Sequence, residues 1–247
     1  MDRTDVLFGR SKKTASRLDE QEVEGADEAL VDIDEEGEAD AEGDDPDVDD
    51  DLDQWDRLDR SQDWRFDGPF DITEVDLSAD EVERVDVGAL IITPEDGMKV
   101  TLVADPETQA VMHVVVENAP QSALQLTLLA APSTGDYCAR ARQQLIDQST
   151  DATSIDMAPG PFGTELRRVL AVTNEEGHEG FAPLRDWFIG GPRWVLNARL
   201  IGQAALDSQG EGLAGEFEEF VRNIIVRRGD QAMVPGSIVP LTSGDQA

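Results

Sequence analysis

The chain has 247 residues, 54 of them acidic and 20 basic, giving a formal net charge of −34 and a pI near 4.1. Such a charge repels phosphate at long range, so it excludes direct binding to DNA or RNA and to an anionic membrane surface. The one cysteine, Cys138, excludes an internal disulfide and a cysteine-built zinc site, and it fits a reducing compartment.

The charge falls into two unlike parts. Residues 1–62 hold 24 acidic and 7 basic residues, a net −17. Residues 63–247 carry the same net −17 on three times the length, and 185 residues can bury a real core. Val6, Leu7 and Phe8 give way at once to Gly9, Arg10 and Ser11, which is no export signal, and no apolar run approaches the roughly 18–20 residues that span a bilayer. The expectation is a cytoplasmic protein without a membrane segment.

In chain order, a basic head comes first, with Arg3, Arg10, Lys12, Lys13 and Arg17. Residues 19–53 follow with 20 Asp or Glu and no Lys or Arg. Such a segment buries too little apolar surface to offset its chain entropy, so the expectation is a disordered tail over 1–62. It reads as a solubilising tail, as an interaction tail for a basic protein, or as a screen over a basic face of its own domain. Trp55, Trp64, Phe66 and Phe70 then recur around Gly68-Pro69, and they are expected to dock on the edge of the domain, placing its start near residue 63.

From there the pattern is mostly strand. Runs at 85–92, 99–104, 110–117 and 123–130 are separated by short turns, as in an antiparallel meander. A helix is predicted from Tyr137 to about Ser149, with Cys138, Ala141 and Leu145 on one face. A strand at 153–157, a loop at 158–163, and strands at 164–173, 182–189 and 193–201 follow, with turns at Asn174–Gly177 and Gly190–Pro192. A second helix runs from about Leu213 to Asn223 with Phe217, Phe220 and Ile224 on its apolar face. Ile224, Ile225 and Val226 either finish it or begin a short strand. Residues 231–247 read as a loose C-terminal tail. The sum is a single α+β domain over 63–230: an antiparallel sheet of seven or eight strands with two helices packed on it.

Several pieces carry a family resemblance: LFGRSKK (7–13), DGPFDITEVD (67–76), RVDVGALIITP (84–94), SALQLTLLAAP (122–132), GPFGTELR (160–167), GGPRW (190–194) and VRRGDQAMVP (226–235). In that order they resemble the domain of unknown function 3710, an uncharacterised family of high-GC Gram-positive (actinobacterial) bacteria. The family has no established activity, so the resemblance carries over no functional residue. The element order also resembles, more loosely, the fold of the PsbP and Mog1 proteins, whose members mostly bind or assemble rather than catalyse.

No catalytic, cofactor-binding or metal-binding set stands out. Cys138 has only His113 and His178 as candidate bases, and its helix face places it in the core. His113 lies in an apolar strand, His178 in a Glu-rich turn. The alternating Asp45, Asp47, Asp49 and Asp51 lack the Gly and Glu of a calcium loop. Gly160-Pro161-Phe162-Gly163 lacks the Lys of a phosphate loop and reads as a turn. One local reversal remains. Arg167, Arg168, Arg185, Arg193 and Arg199 fall on successive strands in a window holding only Glu175, Glu176, Glu179 and Asp186, which makes them a candidate surface. The competing expectation is cross-strand pairing with neighbouring acids. The sequence favours a non-enzymatic binding or scaffolding protein with no cofactor. The alternative is a small-molecule site lined by Trp187, Trp194 and Tyr137.

Overall fold

The computed structural model describes residues 54–119, 121–133, 137–173, 177–207 and 212–242. The basic head, the acidic block and the turn at 174–176 lie outside them.

Residues 54–59 form a short helix, α1. Eleven strands follow among the described residues: β1 (Phe70–Asp71), β2 (Val85–Asp86), β3 (Leu90–Ile92), β4 (Lys99–Ala104), β5 (Val111–Ala119), β6 (Ser122–Ala130), β7 (Ala152–Gly160), β8 (Gly163–Thr173), β9 (Glu179–Gly191), β10 (Trp194–Gly202) and β11 (Ile225–Val226). The other helices are α2 (Cys138–Gln148), α3 (Gln203–Leu206) and α4 (Leu213–Arg222). The fold is α+β, built on an antiparallel sheet of order β4-β5-β6-β10-β9-β8-β7. A second sheet, β1-β11-β3-β2, contains one parallel pair, β1 with β11.

Strand alternation sorts the large sheet into two faces. Leu124, Leu126 and Leu128 of β6, Trp187 and Ile189 of β9, and Leu196, Ala198 and Leu200 of β10 join one core. It is closed by Phe217, Phe220 and Val221 of α4 and by Leu90, Ile92 and Val226 of the small sheet. Each Leu, Ile, Val or Phe among them contributes about 1.5–3 kcal/mol on full burial. The opposite face carries a smaller core in which Leu166, Phe188 and Val195 meet Tyr137 and Ala141, with Cys138 and Leu145 partly buried against them.

Three local expectations are revised and one open alternative is decided. The run 85–92 is a hairpin, not one strand: Val85 pairs with Ile92 and Asp86 with Ile91. The reversal turns on Gly88, at φ +83°, whose N–H donates to the Asp86 carboxylate at 2.9 Å. Residues 158–160 extend β7, which leaves Pro161-Phe162 as a two-residue turn. Likewise β9 continues through Gly191, so the next turn is Pro192-Arg193. Ile225 and Val226 form a strand because they pair with Ile91 and Leu90.

Both ends of the described chain are packed, contrary to the expected boundaries at 62 and 231. β5 pairs with β6 only from Val114↔Leu126 onward, so the far end of β6 has an open edge. The segment 236–239 takes that edge, with the Gly236 N–H donating to the Ala130 carbonyl and the Val239 N–H to the Leu128 carbonyl, each at 2.8 Å. Val239 and Leu241 are buried. Residues 243–247 lie outside the described part. At the other end, α1 is held to the domain through Asp59.

Candidate functional site

Residues 54–66, ahead of β1, run across the end of the large sheet where α2 begins. Asp59 anchors them. Its Oδ2 accepts from Arg142 Nη2 of α2 at 2.6 Å, and its Oδ1 accepts from the Thr164 N–H of β8 at 2.7 Å. The Arg142 guanidinium is buried and also donates to the Thr164 carbonyl at 3.0 Å. The Trp64 indole N–H reaches back to the Leu58 carbonyl at 3.1 Å, which closes α1 over the following turn.

Next, Arg65 ties this segment to the 3-10 turn Ile72–Glu74. Its Nη2 donates to Glu74 Oε1 at 2.6 Å, its Nη1 to the Pro69 carbonyl at 3.1 Å, and its guanidinium lies 5.6 Å from the centre of the Trp194 ring. The Trp194 indole N–H donates to the buried Asp71 carboxylate at 2.8 Å. Asp71 also caps the turn, accepting from the Thr73 N–H at 3.0 Å, while its own N–H donates to Glu74. Burial works to raise the Asp71 carboxyl, but Thr73, Trp194 and the Arg65 charge together hold it below its ordinary value. The Arg65 hydrogen bond does the same for Glu74, against burial.

These contacts frame a half-open cleft of about 410 Å³. Trp64, Tyr137, Cys138, Phe162, Phe188 and Trp194 line it. Several polar groups of its rim are committed to one another: Asp59 to Arg142, Arg65 to Glu74, Trp194 to Asp71, and Asp63 to the Arg65 N–H. The rings lie mostly beneath the surface of the cleft, and what it exposes is a mixture of ring edges and polar atoms, which suits a group with both apolar and polar parts. Tyr137 and Trp194 are among the residues that line this cleft. Trp187 is not: it packs on Phe162 at 5.4 Å inside the core, with its N–H on Glu165 at 2.9 Å.

The five candidate arginines do not share a surface. Alternation sends Arg167 and Arg185 to the main core face and Arg168 and Arg199 to the α2 face. On the first, the fully buried Glu165 accepts from Arg185 Nη2 at 2.7 Å and from Arg167 Nε at 2.6 Å. On the second, the fully buried Asp186 accepts from Arg199 Nε at 2.8 Å, Arg168 Nη2 at 2.9 Å and Asn197 Nδ2 at 3.3 Å. Burial pushes the Asp186 carboxyl up, yet the Arg199 and Arg168 charges outweigh it and hold the carboxyl below its usual range. Arg168 and Arg185 are 3% and 4% exposed. Only Arg193 stands apart, in the Pro192-Arg193 turn. Asp186 was inside the window that flagged the arginines; Glu165 lies two residues outside it.

Elsewhere, His113 Nδ1 is 2.8 Å from Thr127 Oγ1, His178 is exposed, and Cys138 is half-buried against Gly190. Among the described residues no three His, Cys, Asp or Glu side chains gather as a metal ion requires, and no helix is long and apolar enough to cross a membrane.

A family model covers residues 68–247, from the strand that receives Trp194 to the end of the chain. The chain belongs to the family described as Protein of unknown function (DUF3710). No curated protein matches it. Two of the similar solved structures are these. One is a crystal structure from Bacteroides thetaiotaomicron VPI-5482, at 12% identity and a TM-score of 0.37, covering 62% of this chain and 52% of that one. This chain thus spans about half the length of that protein. The other is the solution structure of cyanobacterial PsbP (CyanoP) from Synechocystis sp. PCC 6803, at 9% identity and a TM-score of 0.33, covering 62% and 98%. Likenesses this distant say nothing of function.

Proposed function

We propose that this chain is a non-enzymatic binding or scaffolding protein for a basic partner. The acidic block draws the partner in, and the aromatic cleft takes an apolar side chain from it. Continuity supports this reading. The 20 acids of residues 19–53 lead directly into residues 54–65, which wall the cleft with Asp59, Asp63, Trp64 and Arg65. Charge steers the encounter and the ring-lined slot gives specificity. A tail that screens its own arginine-bearing strands has less support, because Arg167, Arg168, Arg185 and Arg199 already meet Glu165 and Asp186 within the sheet. The single cysteine suits a cytoplasm-like reducing compartment. A small apolar ligand is the second reading, favoured by a cleft volume of about 410 Å³.

The test uses a labelled Lys- and Arg-rich peptide with a central leucine, and the same peptide with serine in its place. Anisotropy is followed on the full chain, on a chain with the acids of 19–53 changed to Asn and Gln, and on Ala131→Phe, which fills the cleft. Binding should weaken with salt and with the neutralised tail, and the leucine peptide should be preferred except by Ala131→Phe. Undiminished binding to the neutralised chain, or equal binding of the two peptides to the natural one, would refute the reading. An apolar dye that enters the cleft regardless of the tail would favour the small-molecule alternative.

A further inference from the structure

Two sequence pieces hold residues outside the cleft: Arg193 of GGPRW (190–194) and the segment VRRGDQAMVP (226–235). They meet in space. Arg193 holds φ +64° in the β9–β10 turn, and its Nη2 donates to the Gly229 carbonyl at 3.2 Å and the Gln231 carbonyl at 3.5 Å. Arg228, two residues past β11, donates from its own Nη2 to the same Gln231 carbonyl at 3.1 Å. Two guanidiniums therefore converge on one oxygen.

Little negative charge offsets them. Asp230 is 3.7 Å from Arg193, but its side chain is fully exposed. Among the described residues no carboxylate lies within ion-pair distance of Arg228, which is only 8% exposed. Among the described residues its buried Nε has no acceptor and its Nη1 makes no hydrogen bond. The other deeply buried arginines, Arg142, Arg168 and Arg185, each hold a carboxylate. Burial, and then the Arg193 charge, holds the Arg228 guanidinium below its ordinary value. A buried cation beside a second cation is costly unless a counter-charge reaches it. In a chain with 54 acids against 20 bases, that cost stands out.

We propose that Arg193 and Arg228 together bind a phosphate-class oxyanion at the junction of the β9–β10 turn and the loop 228–231. Each Nη2 is held by backbone carbonyls, so each guanidinium turns its Nη1 to such an anion, and two cations match a dianion. Arg193 is half-exposed and Gly229, Asp230 and Gln231 are exposed, so the approach is open. Arg228 behind them acts through a low-dielectric surround that strengthens its pull. The site lies beside the cleft, through Pro192 and Trp194, but does not depend on the tail. Free phosphate and a phosphorylated serine share this chemistry.

The experiment titrates the full chain separately with inorganic phosphate and with O-phosphoserine at fixed ionic strength, by calorimetry and by ³¹P NMR. Saturable binding at one site is expected. Arg193→Gln and Arg228→Gln should each weaken it by about tenfold or more, while Lys99→Gln, on an exposed lysine of β4, leaves it unchanged. Tighter phosphate binding assigns the free ion, and tighter phosphoserine binding assigns a modified partner; both support the site. Should Arg228→Gln fail to fold, Arg193→Gln on its surface turn still decides. No saturation with either ligand, or binding that both arginine variants retain in full, would overturn the proposal.

Discussion

Substituting Asp186 by Ala tests the reading that the strand arginines are structural. The carboxylate is fully buried and accepts from Arg168, Arg199 and Asn197. Its removal leaves the 3%-exposed Arg168 without a counter-charge and Arg199 with less compensation. Breaking a buried pair from one side costs about 3–5 kcal/mol, because the surviving charge remains desolvated. For a domain of this size that is a fall in Tm of roughly 6–20 °C. The companion variant replaces the whole triad: Asp186→Leu with Arg168→Met and Arg199→Met. Ser149 Oγ then loses Arg168 but still donates to the Leu145 carbonyl at 2.6 Å, and Asn197 keeps the Trp187 carbonyl at 3.4 Å. Few polar groups are orphaned, so the triple variant should lie within about 1 kcal/mol of the natural chain. Urea unfolding followed by tryptophan fluorescence measures all three proteins. A single substitution costing less than about 1 kcal/mol, or a triple variant less stable than the single one, would refute the reasoning.

Three further outcomes are expected. Gly202→Ala should destabilise by about 3 kcal/mol or more, since Gly202 has φ +78° and an added Cβ would stand 2.0 Å from the Gln121 carbonyl oxygen, a backbone atom that cannot swing aside. Thermal melts check it. Asp59→Ala should free residues 54–60 from α2 and β8, so their amide exchange rises at least about tenfold at a global cost of about 2 kcal/mol; unchanged exchange there would show that the ion pair with Arg142 is not the anchor. As for pH, Asp71, Glu74 and Asp186 are all held below their ordinary values in the folded state. Their stabilisation is fully present above the unfolded values near 4 and is lost as pH falls through the lower folded ones, so unfolding free energy should decline on acidification below about pH 4. A flat stability profile there would contradict the assignment.

What the sequence determined by itself was the periodic part. The α2 and α4 faces, the alternation in β6 and β10 and the antiparallel class follow from local spacing, which survives folding because each element needs one buried face. The acidic block was equally plain, since composition alone forbids 19–53 a core. The tertiary structure decided the rest. Gly88 turned an apolar run into a hairpin, and the C-terminal segment was fixed by an open edge of β6 visible only once β5 is in place. Arg142 falls outside the Cys138, Ala141 and Leu145 face of α2, and its partner Asp59 is 83 residues away. A carboxylate beside arginines in a strand, Glu165 ahead of Arg167 and Arg168 or Asp186 after Arg185, was the available signal for a buried ion cluster, because a strand that seals both faces takes a charge only with its counter-charge. The convergence of Arg193 and Arg228 had no signal at all, since contacts between a turn and a loop 35 residues apart depend on where the sheet carries them.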